Sequence, residues 1–330
     1  MTRSHAQPNT IRSSRVVSSL SSPLDIMSTT LRRIWRHPAN ESRRIRAVAW
    51  YFAWQAWQRT VRRPWTIRLG TIRRIRLYPH SVVAAFVLYY QVPDYSEMSF
   101  VHAFLRPGEL FVDVGANVGV YSLWASEVHD VHSVAFEPSS ATYARVAENV
   151  ALNGLIDRVH LMRMAVGAEK AVVRFSTGLD ATNRVLSDGT GTAESVQQTT
   201  LDDVFTDQEG LSTGVCGRAP ALIKIDVEGQ EANVLRGASS LIARHRPALI
   251  VEVNDPERLA DLFAEFGYTA WSYDPKSRRL SPVATMRHID NVIAIADIGE
   301  ARRRIATGAG PTQDFGHRSP VELREPPESW

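Results

Sequence analysis

Between residues 110 and 295 the apolar positions switch repeatedly between short continuous or alternating runs and a spacing near 3.6, the pattern of strands followed by amphipathic helices. Segments 110–114, 133–136, 159–165, 222–227 and 248–253 predict strands, and 119–127, 141–152 and 231–243 predict the helices between them. Asn153 and Gly154 close the second of these helices. Asp255 and Pro256 supply a cap and a first-turn proline for a further helix that Gly267 ends. Strands at 268–273 and 291–295 complete the pattern, and 172–175 and 196–200 predict two short strands around the polar loop 178–195. Such alternation folds as a parallel sheet wrapped by helices on both faces. The expected fold is α/β, a doubly wound, mostly parallel, seven-stranded sheet.

Upstream the pattern differs. Residues 31–63 read as helical, with Trp50, Trp54 and Trp57 at i, i+4 and i+7 on one face and arginines at both ends. An aromatic stripe of this kind is more often core, so the favoured reading packs it against the domain; the alternative lays 31–63 on a membrane surface. Alternation over 65–69 and 75–77 about Gly70 predicts a hairpin, and 93–105 a helix stopped by Pro107 and Gly108. The longest apolar run, Val82 to Tyr90, is nine residues, against the roughly 18 to 20 that cross a bilayer, so no spanning segment is expected. The expected organisation is a disordered basic N-terminus (1–28, with Met27 an alternative start), a helical and hairpin extension (29–90), one catalytic domain (91–298) and a mostly disordered tail (299–330). No apolar h-region of a secretory signal follows the first basic residues.

Composition narrows the class. With 330 residues, 44% hydrophobic and 22% charged, the chain is an ordinary globular protein of one large domain with extras. Its single cysteine, Cys216, excludes a disulfide framework and a cysteine metal cluster and fits a reducing, cytoplasmic setting. Charge is unevenly spread: residues 1–76 hold sixteen arginines against two acids, whereas 77–330 hold 22 basic and 33 acidic residues. A basic arm can steer toward a polyanion, but arginine outnumbers lysine 35 to 3 throughout, so arginine richness is a property of the whole chain.

In a doubly wound sheet ligands sit at the carboxyl ends of the strands. The first strand there ends in FVDVGANVGV, residues 111–120, in which Asp113 precedes Gly115, Asn117 and Gly119. The glycines let the backbone approach a ligand. Glu137, at the end of the next strand, follows Gly115 by 22 residues, close to the roughly 20 at which an acid bonds ribose hydroxyls. The three-glycine dinucleotide fingerprint is incomplete, which favours a ligand with ribose but no pyrophosphate.

The chain resembles class I S-adenosylmethionine-dependent methyltransferases, and more narrowly the FkbM family of O-methyltransferases. The resemblance rests on FVDVGANVGVYS (111–122), FEP (136–138), ENVALNG (148–154), AVG (165–167), TLDDV (200–204), LIKIDVEGQE (222–231) and RPALIVEV (246–253), and covers about 90–295. It implies S-adenosylmethionine as cofactor, with Asp113, Gly115, Asn117 and Gly119 around its methionine part and Glu137 on its ribose. It places Ala165 and Val166 by the adenine, Asp226 beside the methyl group, and Glu97 facing the cofactor. The implied acceptor is a hydroxyl of a small metabolite, sugar or polyketide-like molecule.

Methyl transfer to such an oxygen requires in-line positioning and gains from a base. Asp226, Glu228 and Glu252, at the open ends of two strands, are the candidates. Lys224, on the strand face of Leu222 and Asp226, would tune a carboxylate, bind the acceptor or form a structural ion pair. A variant of the site resembles the oxygen set of magnesium-dependent O-methyltransferases, with Asp226, Glu252 and Asn254 as ligands; the resemblance does not require the metal, and none is expected. Nucleic acid is not an expected partner: no Asn/Asp-Pro-Pro-aromatic loop follows the fourth strand, and Cys216 lies in a polar glycine-rich loop. The rival functions are a ribose-directed RNA methyltransferase and a non-catalytic membrane-peripheral protein on the same scaffold.

Overall fold

A computed structural model describes residues 23–177, 183–186, 192–207 and 215–308. The helices, strands and contacts below belong to those residues. Three strands that overlap the predicted segments 110–114, 133–136 and 222–227 form the centre of a sheet: β3 (Leu110–Val114), β4 (His132–Phe136) and β9 (Pro220–Ile225). With β5 (Val159–Met162), β10 (Ala248–Glu252), β11 (Thr269–Asp274), β12 (Arg279–Pro282) and β13 (Asn291–Ile295) they build an eight-stranded sheet in the order β12-β11-β13-β10-β9-β3-β4-β5. The five strands from β10 to β5 are mutually parallel, while β13 runs antiparallel between β10 and β11. The expected count of seven is corrected by β12, which hairpins back on β11 at the edge; its sequence RLSP carries no strand-like alternation.

The unbroken apolar character of the central strands reflects burial on both faces. Leu110, Val112 and Val114 of β3 join Ile223 and Ile225 of β9 in one core, while Phe111 and Leu222 enter the other. The first core lies under α7 (Leu201–Asp207), α8 (Glu231–Arg236), α9 (Ser239–His245) and α10 (Pro256–Phe266); α10 has the predicted Asp255 cap and ends at Gly267 with φ 67°. The segment expected as one helix, 231–243, is two: the Gly237 carbonyl accepts from the Asp202 amide, and the Asp202 carboxylate accepts from the amides of Ser240 and Leu241 at the start of α9. A Cβ on Gly237 would lie 2.0 Å from the carbonyl oxygen of Gly167. A separate three-stranded sheet, β6 (Ala165–Val166), β8 (Ala193–Thr199) and β7 (Ala171–Ser176), supplies that neighbouring chain.

The opposite face is covered by α4 (Tyr95–Phe104), α5 (Val120–Ala125), α6 (Ser140–Leu152) and α11 (Ile298–Thr307), together with the N-terminal extension. The extension comprises α1 (Pro23–Arg36), a 3-10 turn (Pro38–Asn40), α2 (Arg44–Thr60), the hairpin β1 (Trp65–Leu69) and β2 (Arg73–Leu77), and α3 (Val82–Tyr90). Residues 31–63 are thus two helices rather than one, and 23–28 and 299–307, which the sequence reading assigns to the disordered N-terminus and the start of the tail, are helical. The remaining terminal residues lie outside the described set. Trp50, Trp54 and Trp57 all contact the ring of Trp65, at centroid distances of 5.2, 6.2 and 5.1 Å, and Trp54 is fully buried. The stripe is core, as the favoured reading has it.

The hairpin is pinned to the body through its own backbone. Glu127 accepts hydrogen bonds from the amides of Thr71, Ile72 and Arg73, and Asn149 and Asn153 accept from Arg76 and Arg74. None of the described helices is long and apolar enough to cross a membrane.

The close approach at Gly237 yields a stability test. Gly237→Ala should cost more than about 2 kcal/mol, because the methyl must displace the Gly167 backbone. Gly154→Ala, at φ 62° with open space around it, should cost about 1 kcal/mol. Urea unfolding reads both, and equal losses would contradict the packing account.

Candidate active site

The tips of β3 and β9 converge on a cavity of about 290 Å³ at the carboxyl ends of the strands. Gly115, in the left-handed region at φ 85°, lies where a Cβ would come 1.8 Å from the carbonyl oxygen of Asp226. Only glycine permits both the conformation and the contact. Beyond it the loop satisfies its own donors. The amides of Gly115 and Ala116 bond to the Phe136 carbonyl, that of Asn117 to Glu137, that of Val118 to the Asn117 side chain and that of Gly119 to the Ala116 carbonyl. A loop with its amides so engaged is not an anion cradle of the pyrophosphate-binding kind.

Glu137 takes over the polar role. Its Oε2 accepts from Asn117 N at 2.9 Å and its Oε1 from Ser139 N at 3.0 Å. Each oxygen keeps a further acceptor position, and the residue lines the cavity. Burial pushes its carboxyl up to about 7 against those two bonds.

At the other end, Asp226, Glu228 and Glu252 bring carboxylate oxygens within 4.8 Å of one another. Burial, with the charge of Asp226 and Glu231 added, raises Glu228 to about 7; burial and the charges of Asp226, Glu228 and Glu231 raise Glu252 to about 9. Oxygens this close could share a proton or hold a hard cation. Asn254 does not complete an oxygen set: its amide donates to Glu252 at 2.7 Å and to Glu231 at 3.1 Å, and it does not line the cavity.

Lys224 explains itself once the strands are paired. It lies directly beside Asp113 in the β3–β9 register, is 5% exposed, bonds Asp226 Oδ2 at 2.8 Å and stands 4.7 Å over the Tyr121 ring. Burial works to lower it, but Asp226, Asp113 and Asp94 hold the ammonium above its ordinary range. Tyr121 in turn donates to Asp94 Oδ2 at 2.9 Å. Lys224 therefore fixes one oxygen of Asp226 from beneath the cavity.

Of the predicted residues, Gly115, Asn117, Glu137, Ala165, Lys224, Asp226, Glu228 and Glu252 line one cavity. Three cofactor candidates are placed elsewhere. Asp113 is fully buried behind the loop, bonding Ser122 Oγ at 2.7 Å, and Gly119 faces Val146, whose Cγ2 lies 2.8 Å from the position of an added Cβ. Glu97 is also absent from the lining, which instead takes Asp94 just before α4. Tyr121, Asp290 and Asn291 are site residues that the sequence reading missed. Tyr121 stands two residues after Gly119 and was findable as the inward position of the first turn. Asp290 and Asn291 were not, because they arrive on antiparallel β13, whose start lies opposite Glu252 at the end of β10.

Comparison with known proteins identifies the family. Residues 113–270 match the model of the methyltransferase FkbM domain. The chain is 32% identical to 31-O-demethyl-FK506 methyltransferase FkbM of Streptomyces tacrolimicus over 177 residues, which are 46% of this chain and 67% of that one. The chain belongs to the FkbM methyltransferase family. Among solved structures it is similar to the FkbM methyltransferase of Methylobacillus flagellatus KT, at 17% identity and a TM-score of 0.38. That match covers 64% of this chain and about half, 53%, of the other. A Bacillus cereus O-methyltransferase in complex with SAH matches at 13% identity and a TM-score of 0.35, over 62% of this chain and 80% of that one.

The carboxyl cluster sets the direction of the pH dependence of an FkbM methyltransferase built this way. Groups whose folded values are raised, Glu137 and Glu228 to about 7 and Glu252 to about 9, bind more protons in the native state than unfolded, so stability falls as pH rises through those values. The melting temperature should be lower at pH 9 than at pH 5.5, and Glu252→Gln should shrink that difference by raising the pH 9 value. A Glu252→Gln protein with the same pH difference as the parent would contradict the assignment.

Proposed function

We propose that the chain transfers a methyl group from S-adenosylmethionine to a hydroxyl oxygen of a small metabolite, sugar or polyketide-like acceptor. The observation that carries the reading is the pairing of an internally bonded glycine loop with an amide-held Glu137 at the mouth of an acid-lined cavity. A loop without free amides suits a ligand without phosphate, and a carboxylate with open acceptor positions suits the two hydroxyls of a ribose. Asp94, Glu137, Asp226, Glu228, Glu252 and Asp290 line the cavity with Lys224 as the facing cation, a balance suited to a positively charged ligand. Ala165, Val166, Phe136 and Met164 give an apolar wall for a purine. The Streptomyces tacrolimicus relative is by its name a 31-O-demethyl-FK506 methyltransferase, which supports an oxygen acceptor.

When bound, the donor supplies a methyl group already activated by its sulfonium. The work left to the chain is orientation and removal of one proton. Glu137 and Asn117 anchor the nucleoside end. Lys224 holds one oxygen of Asp226 in place, and of the Glu228–Glu252 pair Glu228, raised to about 7, is poised to take the hydroxyl proton near neutral pH, while Glu252, raised to about 9, keeps its own proton there. Val83 and Phe86 of α3 add an apolar rim against which an acceptor can pack.

Incubation with donor labelled in its methyl group and a panel of hydroxylated metabolites tests the reading: label should appear in an ether-linked methyl of at least one acceptor. Replacing Glu228 and Glu252 together by glutamine should lower kcat by about 10²-fold while leaving donor affinity within a few-fold. Glu137→Ala should weaken donor binding about tenfold in equilibrium dialysis. An unchanged dissociation constant for that variant would contradict the ribose contact.

A further inference from the structure

The helix α2 is apolar on two sides. Its inward side, Ala47, Tyr51 and Trp54, is buried in the core. Its outward side carries Ile45, Ala49, Phe52 and Ala56, at i, i+4, i+7 and i+11, all exposed to solvent. Ile45 is 79% exposed and Phe52 51%. Trp35 of α1, 47% exposed, extends this face, because the Arg44 guanidinium beside Ile45 stands 5.8 Å over its ring. A surface helix ordinarily keeps one apolar stripe and one polar face, so a second stripe implies something else that covers it.

The charges around the stripe say what. Arg32, Arg33 and Arg36 on α1 and Arg44 and Arg59 near the two ends of α2 are exposed. The acids of this region are Asp25 and Glu41, and Glu41 is bonded by Lys276 at 2.5 Å. The surface is therefore apolar along its middle and strongly cationic at its margins. Nucleic acid would meet the arginines but leave Ile45, Phe52 and Trp35 in water. A second copy packed about a twofold axis would set the same arginines against each other. A surface that is anionic outside and hydrocarbon just beneath satisfies both parts.

We propose that α1 and α2 dock this face on an anionic lipid bilayer, with the helices in the plane of the interface and the arginines among the lipid phosphates. At 17 residues α2 is about 25 Å long, and with arginines toward both ends it lies on a bilayer rather than crossing it. The contact uses the side of α2 opposite the tryptophan stripe, whose rings are committed to Trp65. α3, which packs on α2, carries Val83 and Phe86 to the cavity and leaves Phe86 45% exposed. The docking helices and the cavity rim thus belong to one helical layer, and an amphiphilic acceptor could reach the cavity from the bilayer side. The docking surface itself does not depend on the methyl-transfer reading.

Flotation of the full-length chain tests the proposal, with vesicles of phosphatidylcholine alone or carrying about 30% phosphatidylglycerol. The chain should float with the anionic vesicles and stay behind with the neutral ones. The double variant Ile45→Glu, Phe52→Glu changes only exposed positions, and its thermal melt checks the fold. It should lower the vesicle-bound fraction at least tenfold. The proposal is overturned if the parent stays off anionic vesicles, or if the double variant floats as the parent does. It is equally overturned if light scattering shows a dimer that the variant dissolves, since a second copy then covers the face.

Discussion

Two strands at the centre of the sheet end in contact so close that only glycine fits between them. The site depends on that approach of Gly115 to the Asp226 backbone. It turns the loop after β3 sideways, so its amides bond to Phe136 and Glu137 instead of facing a ligand. It also sets the end of β9 beside the loop, which brings Asp226 and Glu228 to the cavity that Glu137 enters from the other side. A side chain at residue 115 would separate the strand tips and with them Glu137 from the carboxyl cluster.

Beneath that junction sits an electrostatic support. Asp113 and Lys224 are neighbours on paired strands, both buried, with one Asp113 oxygen left without a hydrogen-bond partner. Removing a single partner from such a buried set leaves an uncompensated charge, which is costly. The arrangement keeps Lys224 charged and directed at Asp226 while Tyr121 and Asp94 close the set from α5 and the turn before α4. The extension then seals this face: its tryptophans and hairpin join the same hydrophobic core as Phe111 and Leu222. The extension and the body share one hydrophobic core.

Much of this was legible in the sequence because it is local. Strand and helix alternation, the Asp255–Gly267 helix and the Gly115-to-Glu137 spacing each depend on a few neighbouring residues. What sequence reading missed is long-range. Glu97 and Asp94 are three residues apart, and only the packing of α4 on the body decides which one reaches the cavity. Asp290 and Asn291 enter through an antiparallel strand inserted between parallel ones, a matter of topology. The break between α8 and α9 is held by Asp202, which reaches Gly237, Ser240 and Leu241 from a distant segment. The two apolar stripes of α2 are equally visible in the sequence, and periodicity alone could not say which one Trp65 would cover.

The structure with S-adenosylhomocysteine bound would test the central claim most directly. The account predicts both ribose hydroxyls within hydrogen-bonding distance of Glu137, about 2.6 to 3.0 Å, with the sulfur directed toward Asp226 and Glu252. Ligand density elsewhere, or a ribose turned away from Glu137 with a different carboxylate holding it, would contradict the account.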